Sequence, residues 1–286
     1  MQCKELRIDE LKICYTAVES TLLPLINTKI GESQTINVFN LYRLVNDRFK
    51  YFFEIRLRGR TMGQLRFGLY TDRGGEIKYV YLKMNNRVLY DSEALHNILR
   101  LPDALNLKYN NFTALDLAFD TSLNLPSMIK RLLRRKDITT IVNGKAIRKR
   151  NRVLETVDFD YSTTLDRLCN PSITFKQQKA LAKKSEGITV QAYNKRAEIE
   201  NKHPEKQYIL DLCGNPKRLY RMEVRLHYQE LKDYLGLIPI STPTDLIDNP
   251  TLLWNLYCYH LASVIRFTKG RRRLNWEELL IGNGKV

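Results

Sequence analysis

Two stretches of this chain alternate apolar and polar residues without interruption, and that period restricts the fold more than any other feature. In FTALDLAFD (112–120), Leu115, Leu117 and Phe119 fall on one side of an extended backbone, and Asp116, Ala118 and Asp120 on the other. In LYRMEVRLHY (219–228), Met222, Val224, Leu226 and Tyr228 share one face, while Arg221, Glu223, Arg225 and His227 share the opposite one. A helix would scatter both patterns around its circumference. A strand of an antiparallel sheet with one buried face satisfies them.

Other segments extend this reading. YFFEIRLRG (51–59) and EIKYVYLKM (76–84) are rich in β-branched and aromatic residues, with the turn signal TDRGGE between them. DSEALHNILRL (91–101) reads as a helix capped by Asp91, with Leu95, Ile98 and Leu99 inward. NLPSMIKRLLRR (124–135) reads as a second, with Pro126 in its first turn. A basic loop around Asn143-Gly144 precedes expected strands at VLETVDFDY (153–161), ITF (173–175) and GITVQAYNK (187–195), and RAEIENK follows as a short helix. After a break at Gly236–Pro243, Leu253, Leu256, Leu261 and Val264 form a helical stripe. The expectation is an α+β protein with a mainly antiparallel central sheet and flanking helices. Residues 1–235 would form the strand-rich domain, and 236–286 a basic, helical C-terminal appendix.

With 43% hydrophobic residues and ten Phe beside sixteen Tyr, the chain can bury a core, which excludes an intrinsically disordered protein. No run of 18 apolar residues exists: the longest candidate, Leu252 to Ile265, is broken by Asn255, His260 and Ser263. MQCKELRIDELKI lacks the apolar stretch of a signal peptide. Five scattered cysteines without a CxxC, and four scattered histidines, suggest neither disulfides nor a zinc site. The expected location is a reducing, cytoplasmic one without a membrane.

The balance of 47 Lys and Arg against 31 Asp and Glu leaves a formal charge of +16, which points to a polyanionic partner, nucleic acid before membrane. The charge is concentrated. Residues 130–152 carry ten cations against Asp137 alone, among them Arg148, Lys149, Arg150 and Arg152. Residues 176–196 carry six against Glu186, including Lys183 and Lys184, and Arg271, Arg272 and Arg273 lie near the C-terminus beside Trp276. Such groups neutralise phosphates and give salt-dependent affinity without sequence information.

Three polar strand faces are candidates for chemistry. Asp116 and Asp120 offer hard oxygen ligands for Mg²⁺ or Mn²⁺, although alternating strands also carry outward, solvated acids. Glu223 is either a ligand set among cations suited to phosphate, Arg221 and Arg225, or one member of a solvated ion-pair stripe; His227 points the same way. Tyr193 and Lys195, two apart in an expected strand, would share a face. A phenol becomes a useful nucleophile only when its anion is stabilised, which an ammonium or a metal would do.

Taken in order, these segments resemble the gene II-type replication initiators of filamentous phages and, more distantly, plasmid rolling-circle initiators of the Rep-trans type. ALDLAFD (114–120) is similar to a family strand of the form R-I-D-x-x-F, with Ala114 where Arg stands. SITFK (172–176) is similar to a T-V-T-W strand, GITVQAYNKRAEIE (187–200) to the T-L-V-A-Y-x-K-x-x-E segment, and LYRMEVRLHY (219–228) to a V-R-F-E-x-R-I strand. The resemblance covers about residues 110–240. It implies that Asp116 and Glu223 help hold a divalent metal, that Tyr193 is the nucleophile and that Lys195 is its partner. Asp120 has an acidic counterpart only in the plasmid relatives. The activity implied is nicking of one DNA strand at an origin, leaving a 5′-phosphotyrosine and a 3′-hydroxyl primer, with later rejoining. The substrates would be origin duplex and single strand, in a bacterial cytoplasm. Without a GxxxxGK[ST] motif, a host helicase would act beside a host polymerase. A mobilisation relaxase or single-strand transposase would use the same chemistry, but their usual H-x-H motif is missing. A non-catalytic DNA-binding regulator on the same fold is the remaining alternative.

Overall fold

A computed structural model of the chain describes residues 4–69, 77–146, 172–177 and 187–282, with short backbone pieces at 149–150, 153–154 and 159–160. The protein is α+β, with a large antiparallel sheet, flanking helices and further helices toward the C-terminus, as the alternating segments predict. It divides into two compact units. One comprises Ile8–Leu115 and Leu231–Asp248; the other comprises Met1–Arg7, Asp116–Glu230 and Asn249–Val286.

The first unit is built from β1 (Lys4–Thr16) from Ile8 onward, β2 (Ser33–Ile36), β3 (Phe39–Leu44), β4 (Phe49–Leu57), β5 (Arg60–Leu69), β6 (Tyr79–Met84) and β7 (Lys108–Thr121) as far as Leu115, in the order β7-β1-β6-β5-β4-β3-β2. Its alternate residues Leu11, Ile13, Phe53, Ile55, Leu65, Phe67 and Leu82 are fully buried. The β4–β5 hairpin closes through Arg58-Gly59, both at positive φ (49° and 78°), with Leu57 paired to Arg60. A two-residue turn of this hand follows the right-handed twist of the strands, and glycine enters it without a Cβ penalty. Asp91 caps the helix Ser92–Ile98 by accepting from the Ala94 N–H, as its position in the sequence predicts.

The second unit carries β8 (Ile138–Val142), β9 (Lys145–Ala146), β10 (Lys149–Arg150), β11 (Val153–Leu154), β12 (Phe159–Asp160), β13 (Ile173–Gln177), β14 (Ile188–Asn194), β15 (Tyr220–His227), β16 (Ile265–Lys269) and β17 (Arg272–Arg273). Its strands run β12-β13-β14-β15-β7, and a smaller sheet runs β17-β16-β8-β9. Asn143-Gly144 is the tight turn of the β8–β9 hairpin, with φ of 49° and 79°. Most of the strand expected over 153–161 lies outside the described residues. The apolar face of β14, β15 and β7 (Val190, Ala192, Met222, Val224, Leu117, Phe119) is covered by the helices Leu125–Arg134 and Pro250–Val264. Trp254 packs edge-on against Phe119 at 5.6 Å, and the Tyr257 hydroxyl donates to the Met222 carbonyl at 3.0 Å.

This arrangement corrects the expected boundary at 235. Residues 249–286 are no appendix: the helix Pro250–Val264 closes the core over β13–β15, and β16 continues directly from it to pair with β8. The segment Leu231–Asp248 instead belongs with the N-terminal strands. A helix that buries Leu253, Leu256, Tyr257, Leu261 and Val264 needs a sheet face to bury them against, so it goes where that face is.

Candidate active site

The opposite, polar face of the second unit carries the candidate chemistry. Antiparallel pairing sets Gln191 across from Glu223 and Tyr193 across from Arg221, so these side chains leave the same face. One diagonal step away, the Tyr193 hydroxyl donates to Glu223 Oε2 at 3.1 Å. The second oxygen of Glu223 accepts from Arg225 Nε at 2.6 Å, and that same Nε lies 3.6 Å from Asp116 Oδ2 on β7. Tyr193, Glu223 and Asp116, which the sequence places on three separate segments, therefore converge around one guanidinium.

The cluster is shielded. Glu223 is 2% and Tyr193 7% exposed, whereas the Arg225 side chain is 46% exposed and forms the open side. Burial would lower the Arg225 pKa, but the charge and hydrogen bond of Glu223, with the charge of Asp116, outweigh it and raise it. Arg225 thus stays cationic at any working pH and balances the two carboxylates.

Four expected site residues take other roles or places. Asp120 is fully buried and holds Arg221, also fully buried, through two hydrogen bonds of 2.7 Å. Arg7 approaches the same carboxylate at 3.9 Å. This bidentate pair is a structural element of the interior, so Asp120 is not available as a metal ligand, and Arg221 is not a DNA contact. Lys195 does not share a strand with Tyr193: β14 ends at Asn194, whose side chain accepts from the Ala197 N–H and caps the helix Lys195–Lys202. Its ammonium is 1% exposed, pairs with Glu198 at 2.7 Å and lies 5.7 Å from the centre of the Tyr193 ring. His227 sits two positions beyond Arg225, and among the described residues no contact joins it to Asp116 or Glu223.

Among the described residues no group of three or more His, Cys, Asp and Glu side chains gathers as a metal cage. The oxygen donors of Asp116 and Glu223 nevertheless suit Mg²⁺ or Mn²⁺, which bind through one or two carboxylates and complete their shell with water and phosphate.

Of the expected DNA contacts, Arg148, Arg152, Lys183 and Lys184 lie outside the described residues, and Lys149 and Arg150 are described only as backbone paired with Leu154 and Val153. Arg271, Arg272 and Arg273 are exposed, with Arg272 near Glu278 at 3.3 Å. The outer side of the helix Leu125–Arg134 adds a basic hollow of about 420 Å³ lined by Ser127, Lys130, Arg131, Arg134 and Arg135. Its signal was the i, i+3, i+4 spacing of the cations opposite Met128, Ile129 and Leu132. Comparison with family models, with curated proteins and with solved structures finds no match to this chain.

Proposed function

We propose that the chain is a rolling-circle replication initiator, a DNA nicking–joining endonuclease with Tyr193 as its nucleophile, in keeping with its resemblance to the gene II-type initiators. The observation that carries this reading is the hydrogen bond from the Tyr193 hydroxyl to Glu223 beside Asp116. A phenol held on a shielded carboxylate has both a proton acceptor and a fixed direction of attack.

A strand phosphate first meets Arg225, the exposed cation of the cluster. As Tyr193 Oη bonds to phosphorus, its proton passes to Glu223 Oε2; the bond from phosphorus to the 3′ oxygen breaks, and that oxygen takes a proton from water. The products are a 5′-phosphotyrosine and a 3′-hydroxyl. The phosphotyrosine keeps the bond energy, so the reverse attack rejoins ends. Asp116 and Glu223 are the candidate ligands for a divalent Mg²⁺ or Mn²⁺, which when bound would lend Lewis-acid charge to the phosphate. Lys195 steadies the Tyr193 ring from beside it and acts as a positioning residue. A host polymerase and helicase, and a bacterial cytoplasm, belong to the same reading.

The test is nicking of supercoiled and single-stranded DNA with Mn²⁺ or Mg²⁺. Tyr193→Phe is expected to lose the covalent adduct with DNA binding nearly intact, and an adduct that persists removes Tyr193 from its role. Glu223→Gln is expected to slow nicking by about 10²–10⁴-fold. The burial of Tyr193 and Glu223 favours one other reading, a non-catalytic DNA-binding regulator, and wild-type protein that never nicks DNA would establish it. A relaxase or transposase would share the adduct and differ in the DNA it accepts.

A further inference from the structure

A second charged concavity lies away from the Tyr193 cluster, in the C-terminal part of the same unit. It is a groove of about 560 Å³ between the helix Pro250–Val264 and the β16–β17 hairpin, lined by Tyr259, Arg266, Arg273, Leu274 and Trp276 among others. Its cations are placed by strand register. Arg273 pairs with Thr268, so it leaves the sheet face that also carries Arg266, one diagonal step away. Two guanidiniums brought together on one face repel each other, and among the described residues neither has an acidic partner. Arg272 next door turns to Glu278 instead.

The walls are aromatic and apolar. Tyr259 is 57% exposed at the rim, whereas Trp276 is buried in the floor with its N–H donated to the Ile265 carbonyl at 2.8 Å. The Cys258 thiol at the side is pushed up to about 12 by burial and the charge of Glu277, so it offers no thiolate to a metal or electrophile. Asn275 uses its side-chain oxygen to cap the helix Trp276–Ile281. The groove thus presents positive charge and, at its rim, the exposed Tyr259, whose ring meets the His260 ring edge-on at 5.0 Å.

We propose that this groove binds single-stranded nucleic acid, with a backbone phosphate between Arg266 and Arg273 and a base stacked on Tyr259. Uncompensated arginines beside an exposed aromatic are the combination that holds single strands without reading sequence. The groove needs neither metal nor Tyr193, so it anchors a displaced strand independently of any cleavage.

The experiment is fluorescence anisotropy of a labelled short oligo(dT) with the full chain and no divalent metal, each variant first checked for an unchanged melting curve. Arg266→Ala/Arg273→Ala is expected to weaken binding by about 10-fold or more and to flatten the log affinity against log salt slope by about one unit. Tyr259→Ala is expected to weaken it by roughly 5- to 100-fold, and Tyr259→Phe to restore it. Lys217→Ala/Arg218→Ala removes the same charge from an exposed site elsewhere in the unit and serves as the control. The inference is overturned if the control costs as much as the groove variant, if Tyr259→Phe binds as weakly as Tyr259→Ala, or if inorganic phosphate competes as well as oligo(dT). The assay contains no divalent metal and reads binding alone, so absence of nicking leaves this groove standing, and loss of groove binding leaves the nicking reading standing.

Discussion

At single positions, the contrast between Asp116 and Asp120 decides what β7 can do. Both acids leave the same strand face, four residues apart, yet one meets a half-exposed arginine and the other a fully buried one. Removing Arg221 would strand a buried carboxylate with Arg7, at 3.9 Å, as its remaining cation among the described residues. We expect Arg221→Met to cost about 3–5 kcal/mol in urea denaturation, and Asp120→Leu/Arg221→Met to recover most of it. If the double variant is no better than the single, the pair is not the source of the cost. Arg225 leads to a different prediction. It holds the carboxylates a divalent ion would need, so Arg225→Gln is expected to enlarge the rise in melting temperature caused by Mn²⁺. An unchanged rise would mean that cation and metal do not share Asp116 and Glu223.

At the level of elements, the boundary between β14 and the helix after it sets the site. Asn194 ends the strand and caps the helix, which leaves Tyr193 at the next-to-last strand position and brings the Lys195 ammonium to 5.7 Å from the centre of its ring. The period-2 pattern of GITVQAYNK carried the expectation of a shared face one residue too far, because a capping side chain ends a strand more sharply than hydrophobic alternation does. The helix Leu125–Arg134 depends on the same device. Asn124 accepts from the Ser127 N–H and also donates to the Tyr220 hydroxyl at 3.1 Å. Asn124→Ala is expected to lower stability by about 1–2 kcal/mol in denaturant titration. A loss indistinguishable from zero would show that the cap is dispensable once the helix is packed.

For the molecule as a whole, charge and pH set the working conditions. His260 is buried in the helix Pro250–Val264, and desolvation lowers its pKa from 6.5 to about 4. The unfolded chain therefore binds a proton there that the folded one refuses between those values. The stabilisation is fully present above about pH 6.5 and is lost as pH falls through about 4, amounting to about 3 kcal/mol. Comparing wild type with His260→Leu across that window should show the wild type losing stability more steeply; parallel curves would contradict it. Among the described residues no helix is long and apolar enough to cross a membrane.

The strand faces were legible because side-chain alternation is a property of the local backbone: Leu117, Phe119, Met222 and Val224 are buried as their spacing requires, and Asp116, Tyr193 and Glu223 do share the polar face. β1 was not legible, since Lys4, Glu5, Asp9 and Glu10 mask the alternation that Leu11, Ile13 and Tyr15 show only at its end. Alternation by itself assigned each residue to a side of the sheet. Only the tertiary structure decided which acid meets which arginine, that the C-terminal helix completes the core of the site-bearing unit, and that Arg266 and Arg273 share a groove. Those outcomes depend on register and on contacts between segments about a hundred residues apart, which are set by the packing of the whole unit rather than by any local period.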